Sequence, residues 1–282
     1  MLKSTVRYFR MSIRTYSARA ANQSSHNDGN TTTSSIDDND IHRHAKLATE
    51  WWNQTGPMIA LHSLNQIRIP FIRDGLISTG VVDEKHKNTS KSLNGLHLLE
   101  VGCGAGILTE QLARIHAKMT SIDPGSEVIE VARDHVRQNE DLASRITYRN
   151  ESIELHCIEN QCKYDAVIVS EVLEHVNNKA KFLENCLDTV KPGGSIFITT
   201  FNKTFYSWFG AVVVAEHLAK LVPKGTHDWE QFISPLDVQR ILDQLNCSTI
   251  LLNGFEYEFW RDTWKWTRSA NLSYALHAVK NK

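Results

Sequence analysis

Two groups of residues have the types and spacing to do chemistry. The first is Leu99-Glu100-Val101-Gly102-Cys103-Gly104-Ala105-Gly106, with Asp123 following further along the chain. Glycines at this spacing, after an apolar run and before a helical one, let the backbone turn tightly and let a ligand approach without Cβ interference. The helix behind them offers its N-terminal amides. A carboxylate at the end of the next strand can accept hydrogen bonds from both hydroxyls of a ribose. Together they predict a nucleoside-cofactor site. A dinucleotide fold usually reads G-x-G-x-x-G, whereas this chain reads G-x-G-x-G after Glu100. S-adenosylmethionine has no pyrophosphate to place on the helix N-terminus but carries a cationic amine, which an acid at the strand end suits.

The second group is Ser170-Glu171-Val172-Leu173-Glu174-His175-Val176. If a helical turn begins here, Glu171, Glu174 and His175 fall at i, i+3 and i+4 and share one face. Two carboxylates and an imidazole could hold a divalent cation. The hard oxygens favour magnesium or manganese, and the imidazole leaves zinc or iron open. His175 could instead act as a general base, its ordinary pKa lying near neutrality. In the plainest case the cluster only starts a helix, with Glu complementing the dipole.

These residues need a frame, and the pattern after Ile41 supplies one by alternating strand-like with helix-like segments, which indicates an α/β fold around a parallel sheet. Strands are predicted at Leu96 to Val101, Met119 to Asp123, Ile146 to Asn150, Tyr164 to Ser170 and Ser195 to Thr200. Two more, Thr249 to Leu252 and Tyr274 to Val279, read as edge strands. Helices are predicted at Ile107 to His116, with Glu110, Gln111 and Arg114 facing water, and at Val128 to Asn139 and Lys179 to Val190. Pro192-Gly193-Gly194 should stop the last of these, and Ser234-Pro235 should open another helix as N-cap and first residue. Ahead of the sheet, Ile41 to Asn53 and Leu61 to Ser78 look helical, carry Trp51, Trp52 and Arg68, and are expected to cover a sheet edge. Residues 201–233 form an insertion too long for an ordinary connection, as functional loops are.

From Met1 to Asn27 there is no Asp or Glu, while Lys3, Arg7, Arg10, Arg14 and Arg19 recur among Ser, Thr and apolar residues. That is the composition of a mitochondrial transit peptide. We read residues 1–20 as that peptide, 21–40 as a polar linker unable to repay the entropy of ordering, and 41–282 as one domain. The formal net charge of −1 shows no global bias toward nucleic acid. Five scattered cysteines with no C-x-x-C pair suit free thiols.

The glycine turn, with Lys191-Pro192-Gly193-Gly194, resembles class I S-adenosylmethionine-dependent methyltransferases. This implies a Rossmann-like fold with a mostly parallel seven-stranded sheet flanked by helices. Further stretches resemble the UbiG-type 3-O-methyltransferases of ubiquinone biosynthesis: Trp51-Trp52, Leu61-His62 with Asn65 and Arg68, Val101 to Leu108, Glu171 to Val176, Val222 to Asp228 and Tyr274 to His277. The resemblance implies that Arg68, Gly102, Asp123 and Ser170 line the S-adenosylmethionine site, and that Glu171, Glu174 and His175 hold Mg2+. It implies methylation of a prenylated catechol by a protein of a multi-subunit complex, peripheral on the matrix side of the mitochondrial inner membrane. Within the insertion, the apolar run from Phe205 to Ala215 would suit either a membrane-interface helix or a buried lid.

Overall fold

In a computed structural model, residues 50–56, 58–203, 232–258 and 260–282 are described. The transit-peptide and linker readings, the start of the first predicted helix, the apolar run from Phe205 and the stretch Val222 to Asp228 lie outside them. The strands are β1 (His97–Val101), β2 (Lys118–Asp123), β3 (Ile146–Asn150), β4 (Tyr164–Ser170), β5 (Val190–Phe201), β6 (Cys247–Glu258), β7 (Thr263–Thr267) and β8 (Ser273–Lys280). They form one sheet in the order β3-β2-β1-β4-β5-β8-β6-β7. The first five neighbours pair in parallel and the last three pairings are antiparallel.

Alternation along the strands supplies both faces of the sheet. Leu98, Ile168 and Phe197 point to one face, where helix Ile59–Ser78 lays down Leu64, Phe71, Ile72 and Leu76. Leu99, Val167, Val169, Ile196 and Ile198 point to the other, against Phe182, Leu183 and Leu187 of helix Lys179–Asp188 and Val238 and Leu242 of helix Pro235–Gln244. Ser234 caps the last helix as predicted, accepting from Asp237 N at 3.1 Å.

The predicted strands are all found, several of them longer than expected, and there is one more among the described residues: β7, on the short repeat Thr263-Trp-Lys-Trp-Thr267. β7 and β3 are the edges. The strand over Tyr274 to Val279 is interior, between β5 and β6, which explains why Tyr274 and His277 are buried. Helix Ile59–Ser78 covers a face of the sheet rather than an edge, approaching so closely that a Cβ on Gly75 would lie 2.5 Å from the Phe197 ring. Trp51 and Trp52 lie in a turn, not a helix. Helix Lys179–Asp188 ends before the proline. Lys191 to Gly194 bulge out of β5 between its pairings Tyr164↔Val190 and Ala166↔Ser195. Glu110, expected to face water, is buried because His135 Nδ1 meets its Oε1 at 2.7 Å.

Candidate functional site

The chain runs outward from β1 through β2 to β3, then crosses back to lay β4 on the other side of β1. Connections therefore leave the carboxyl ends of β1 and β4 in opposite directions, and that splitting opens the crevice where α/β sheets bind ligands. Both chemical motifs of the sequence end there. A Cβ on Gly102 would lie 2.5 Å from Val172 Cγ2, so the turn after β1 and the segment after β4 touch.

The glycine turn has the required backbone: Gly102, Gly104 and Gly106 have φ of 73°, 52° and 84°. Gly106 caps helix Ile107–Arg114, and a Cβ there would meet Tyr148 Oη at 2.1 Å. At the end of β2, Asp123 accepts from Gly104 N at 2.9 Å through Oδ2 and from Gly125 N at 2.8 Å through Oδ1. Burial raises its carboxyl above the ordinary range while these amides oppose the rise. Each oxygen keeps acceptor capacity for a ligand hydroxyl. Glu100 is buried beneath the turn and accepts from Thr109 Oγ1; burial, partly offset by that bond and by Arg68, lifts its carboxyl to about 7.

Across the crevice stands Arg68, buried on helix Ile59–Ser78. Its Nε and Nη2 donate to Asn65 Oδ1 at 3.1 and 2.6 Å, and Nη2 also donates to Leu61 O at 3.0 Å. Nη1 donates to Ser170 Oγ at 2.8 Å, and Ser170 shares a 2.8 Å hydrogen bond with Thr199 Oγ1. Asn65 is itself anchored on Ile107 O at 3.0 Å, so the cation is tied to the glycine-turn helix as well as to β4. Burial pulls the guanidinium below its usual value, with Glu171 and Glu100 opposing. Arg68 and Ser170 are thus joined to each other, and Asp123 is bonded into the turn that begins at Gly102.

The second motif is built differently from the helical face predicted for it. Glu171 lies outside the 3-10 turn Leu173–His175, with φ 56°, and its N donates to Thr199 O at 2.9 Å. This left-handed residue breaks the i, i+3, i+4 alignment. Glu174 is buried and accepts from Thr200 Oγ1 at 2.7 Å. Among the described residues, no three His, Cys, Asp or Glu side chains gather as a metal-holding group. Glu171 nevertheless has features of a strained functional residue: its Oε1 is buried without a hydrogen-bond partner, and its carboxyl is raised to about 8 by burial and by Glu174. The sequence reading overlooked the supporting hydroxyls of Thr109, Thr199 and Thr200. For the last two a signal existed, since they sit at the carboxyl end of the strand expected beside β4.

Comparison with known proteins agrees with this geometry. A family described as "Methyltransferase domain" matches residues 75–252. The chain is 42% identical over 249 residues to a protein of Rattus norvegicus named ubiquinone biosynthesis O-methyltransferase, mitochondrial, covering 88% of this chain and 71% of that one. It is 37% identical to a ubiquinone biosynthesis O-methyltransferase of Methylocella silvestris, covering 88% and 96%. Among solved structures, magnesium protoporphyrin IX methyltransferase from Synechocystis, with bound SAH, superposes with a TM-score of 0.55 at 16% identity, covering 86% of this chain and 93% of that one. At that identity the likeness is one of fold, and the fold is the class I methyltransferase fold.

Proposed function

The chain belongs to the ubiquinone biosynthesis O-methyltransferases, and we propose that it moves a methyl group from S-adenosylmethionine to a catechol hydroxyl of polyprenyl-dihydroxybenzoate and of demethylubiquinol. The carrying observation is the 42% identity that runs through 88% of the chain. In this reading Asp123 accepts the ribose hydroxyls and the opened backbone at Gly102 admits the cofactor. Arg68, with Ser170, lines the opposite wall and offers a fixed cation to the cofactor's carboxylate. Glu100, below the turn, favours the cationic amine.

The transfer is an in-line displacement: a phenolate oxygen bonds to the methyl carbon, the methyl–sulfur bond breaks, and its electron pair neutralises the sulfonium. Where no cation is held, His175 takes the phenol proton, a role that an imidazole ligating a metal cannot also fill. Closing the crevice keeps water off the nucleophile. Glu171, Glu174 and His175 are the residues that would hold Mg2+. The unpartnered Glu171 Oε1 and the repulsion between Glu171 and Glu174 are what a cation would relieve. Bound there, Mg2+ would supply acidification of the catechol.

The names of the animal relatives support residence in the mitochondrion. Peripheral association with the matrix side of the inner membrane and membership of a complex belong to the same proposal. No helix among the described residues is long and apolar enough to cross a membrane.

The test is an assay of the purified chain on a short-prenyl catechol with S-adenosylmethionine, with and without Mg2+, the product identified by mass. A methyl ether formed only with Mg2+ supports the whole reading. Full activity under chelation, lost in His175→Ala, would remove the metal and keep the base. No turnover under any condition would remove the substrate assignment.

A further inference from the structure

Trp51 and Trp52 are distant in sequence from the glycine turn but lie against it. Trp51 is 6% exposed, and its ring fills the position where Gly104 would carry a side chain, the missing Cβ lying 2.6 Å from Trp51 Cη2. Gly104 is also the residue whose N–H holds Asp123. Trp51, Met58, Ala105, Ile107 and Val128 make an apolar cluster of their own, separate from the two that cover the faces of the sheet.

Trp52 reaches the last turn of the helix that follows β2. Its ring stacks flat on His135, with centroids 3.4 Å apart and planes at 4°, and His62 stands against it at 62°. His135 belongs to helix Ser126–Val136, which begins just after Asp123, and its ring is steadied by Glu110 Oε1 at 2.7 Å. His62 Nε2 in turn hydrogen-bonds Trp51 O at 2.8 Å. The two indoles therefore bridge the turn after β1 and the helix after β2, the elements that flank Asp123. Among the described residues the bridge's apolar cluster stands apart from the two that cover the sheet, and Trp52 Nε1 is buried without a hydrogen-bond partner, so opening the bridge relieves an unmet donor and leaves the sheet cores intact.

We propose that Trp51-Trp52 is a strap closing the nucleoside end of the S-adenosylmethionine site, and that Trp52 and His135 are positioning residues that set how long the cofactor stays. This rests on the assignment of the Asp123 crevice to S-adenosylmethionine. Trp51 braces Gly104 and hence Asp123, while the Trp52–His135 stack pins the strap to the helix after β2. The strap lifts to admit or release cofactor and does not touch the methyl acceptor, so its loss acts on cofactor affinity rather than on the chemical step.

The test uses the full chain. S-adenosylhomocysteine affinity is measured by calorimetry and its release by stopped-flow displacement, for wild type, Trp52→Ala, Trp52→Phe, His135→Ala and His135→Phe. An aromatic stack at the upper end of the usual range converts to about a tenfold change. Both alanine variants are expected to release S-adenosylhomocysteine about tenfold faster and to raise KM for S-adenosylmethionine to match, with kcat within about twofold of wild type. Both phenylalanine variants, which retain a ring to stack, recover most of the difference. Because His135 also partners the buried Glu110, His135→Gln, which keeps a donor for that carboxylate and loses the ring, reads the strap even if the alanine variants fold poorly. Wild-type binding with unaltered affinity and release in the alanine variants would overturn the strap alone. Failure of wild type to bind S-adenosylhomocysteine would overturn the cofactor assignment and the strap with it.

Discussion

In the proposed function Glu100 faces a cofactor amine at the expense of the fold, and Glu100→Gln measures by how much. The carboxyl lies under the glycine turn, 4% exposed, with Thr109 as its donor and Arg68 as the attracting cation. Burial outweighs both and moves its pKa from 4.5 to about 7. The folded protein therefore holds this proton more tightly than the unfolded chain does. Stability from this group is fully present below 4.5 and is lost as pH rises through about 7. At about 1.36 kcal/mol per pH unit, the whole effect is about 3 kcal/mol. Glutamine keeps an acceptor for Thr109 and carries no charge, so Glu100→Gln should be up to about 3 kcal/mol more stable than wild type at pH 8 and nearly equal to it at pH 4.5. For a chain of this size that is a melting shift of about 6 to 12 °C. Glu171, raised to about 8, contributes in the same direction and remains in the variant, so the pH slope is reduced rather than abolished. The assay is urea unfolding of both proteins at intervals from pH 4.5 to 8.5, without cofactor. Saturating S-adenosylmethionine should narrow the gap, since a cofactor amine near Glu100 favours the ionised carboxylate. If both proteins lose stability in parallel across the range, Glu100 is already ionised in the folded state and the reasoning fails.

Three further outcomes follow from the same site. Asp123→Ala removes the acceptor for Gly104 N and Gly125 N as well as for the ribose, and should weaken S-adenosylhomocysteine binding at least about tenfold by calorimetry. Arg68→Lys cannot reproduce a fork that reaches Asn65, Leu61 and Ser170 together, and should cost about ten- to a hundredfold in KM for S-adenosylmethionine while the net charge is unchanged. Gly106→Ala forces a side chain onto φ 84° and against Tyr148 Oη, and should lower unfolding free energy by about 2 kcal/mol or more. Adding Tyr148→Phe removes the nearest atom but leaves Tyr148 Cζ at 2.8 Å, so chemical denaturation should show only partial recovery.

Much of this site is legible along the chain because it is local. Three glycines with positive φ can be read from residue type, since a tight strand-to-helix turn excludes a Cβ. Short runs rich in Ile, Val, Leu, Tyr and Phe place β1 through β5, and Asp123 stands where the second of them ends. Ser234-Pro235 announces its helix through capping chemistry that involves only neighbouring residues. The family resemblance named Arg68 and Ser170 together, and the structure joins them by a hydrogen bond between positions 102 residues apart that no spacing rule reaches.

What the sequence could not decide depends on contacts between distant segments. Glu110 reads as solvent-facing by helical period, and it is buried because His135 and Trp52 arrive from elsewhere. Tyr274 to His277 reads as an edge strand, and only the pairing of β6 outside it makes it interior. The acidic motif shows the limit most clearly. Its spacing allowed a shared helical face, but once β4 reached its end beside Thr199, the hydrogen bond of Glu171 N to that strand went with a φ of 56°, which takes Glu171 out of the helical turn. Local chemistry thus wrote the glycine turn and its acid into the sequence. The tertiary structure alone decided which walls face that turn, because burial and strand neighbours are settled by chain segments tens to hundreds of residues away.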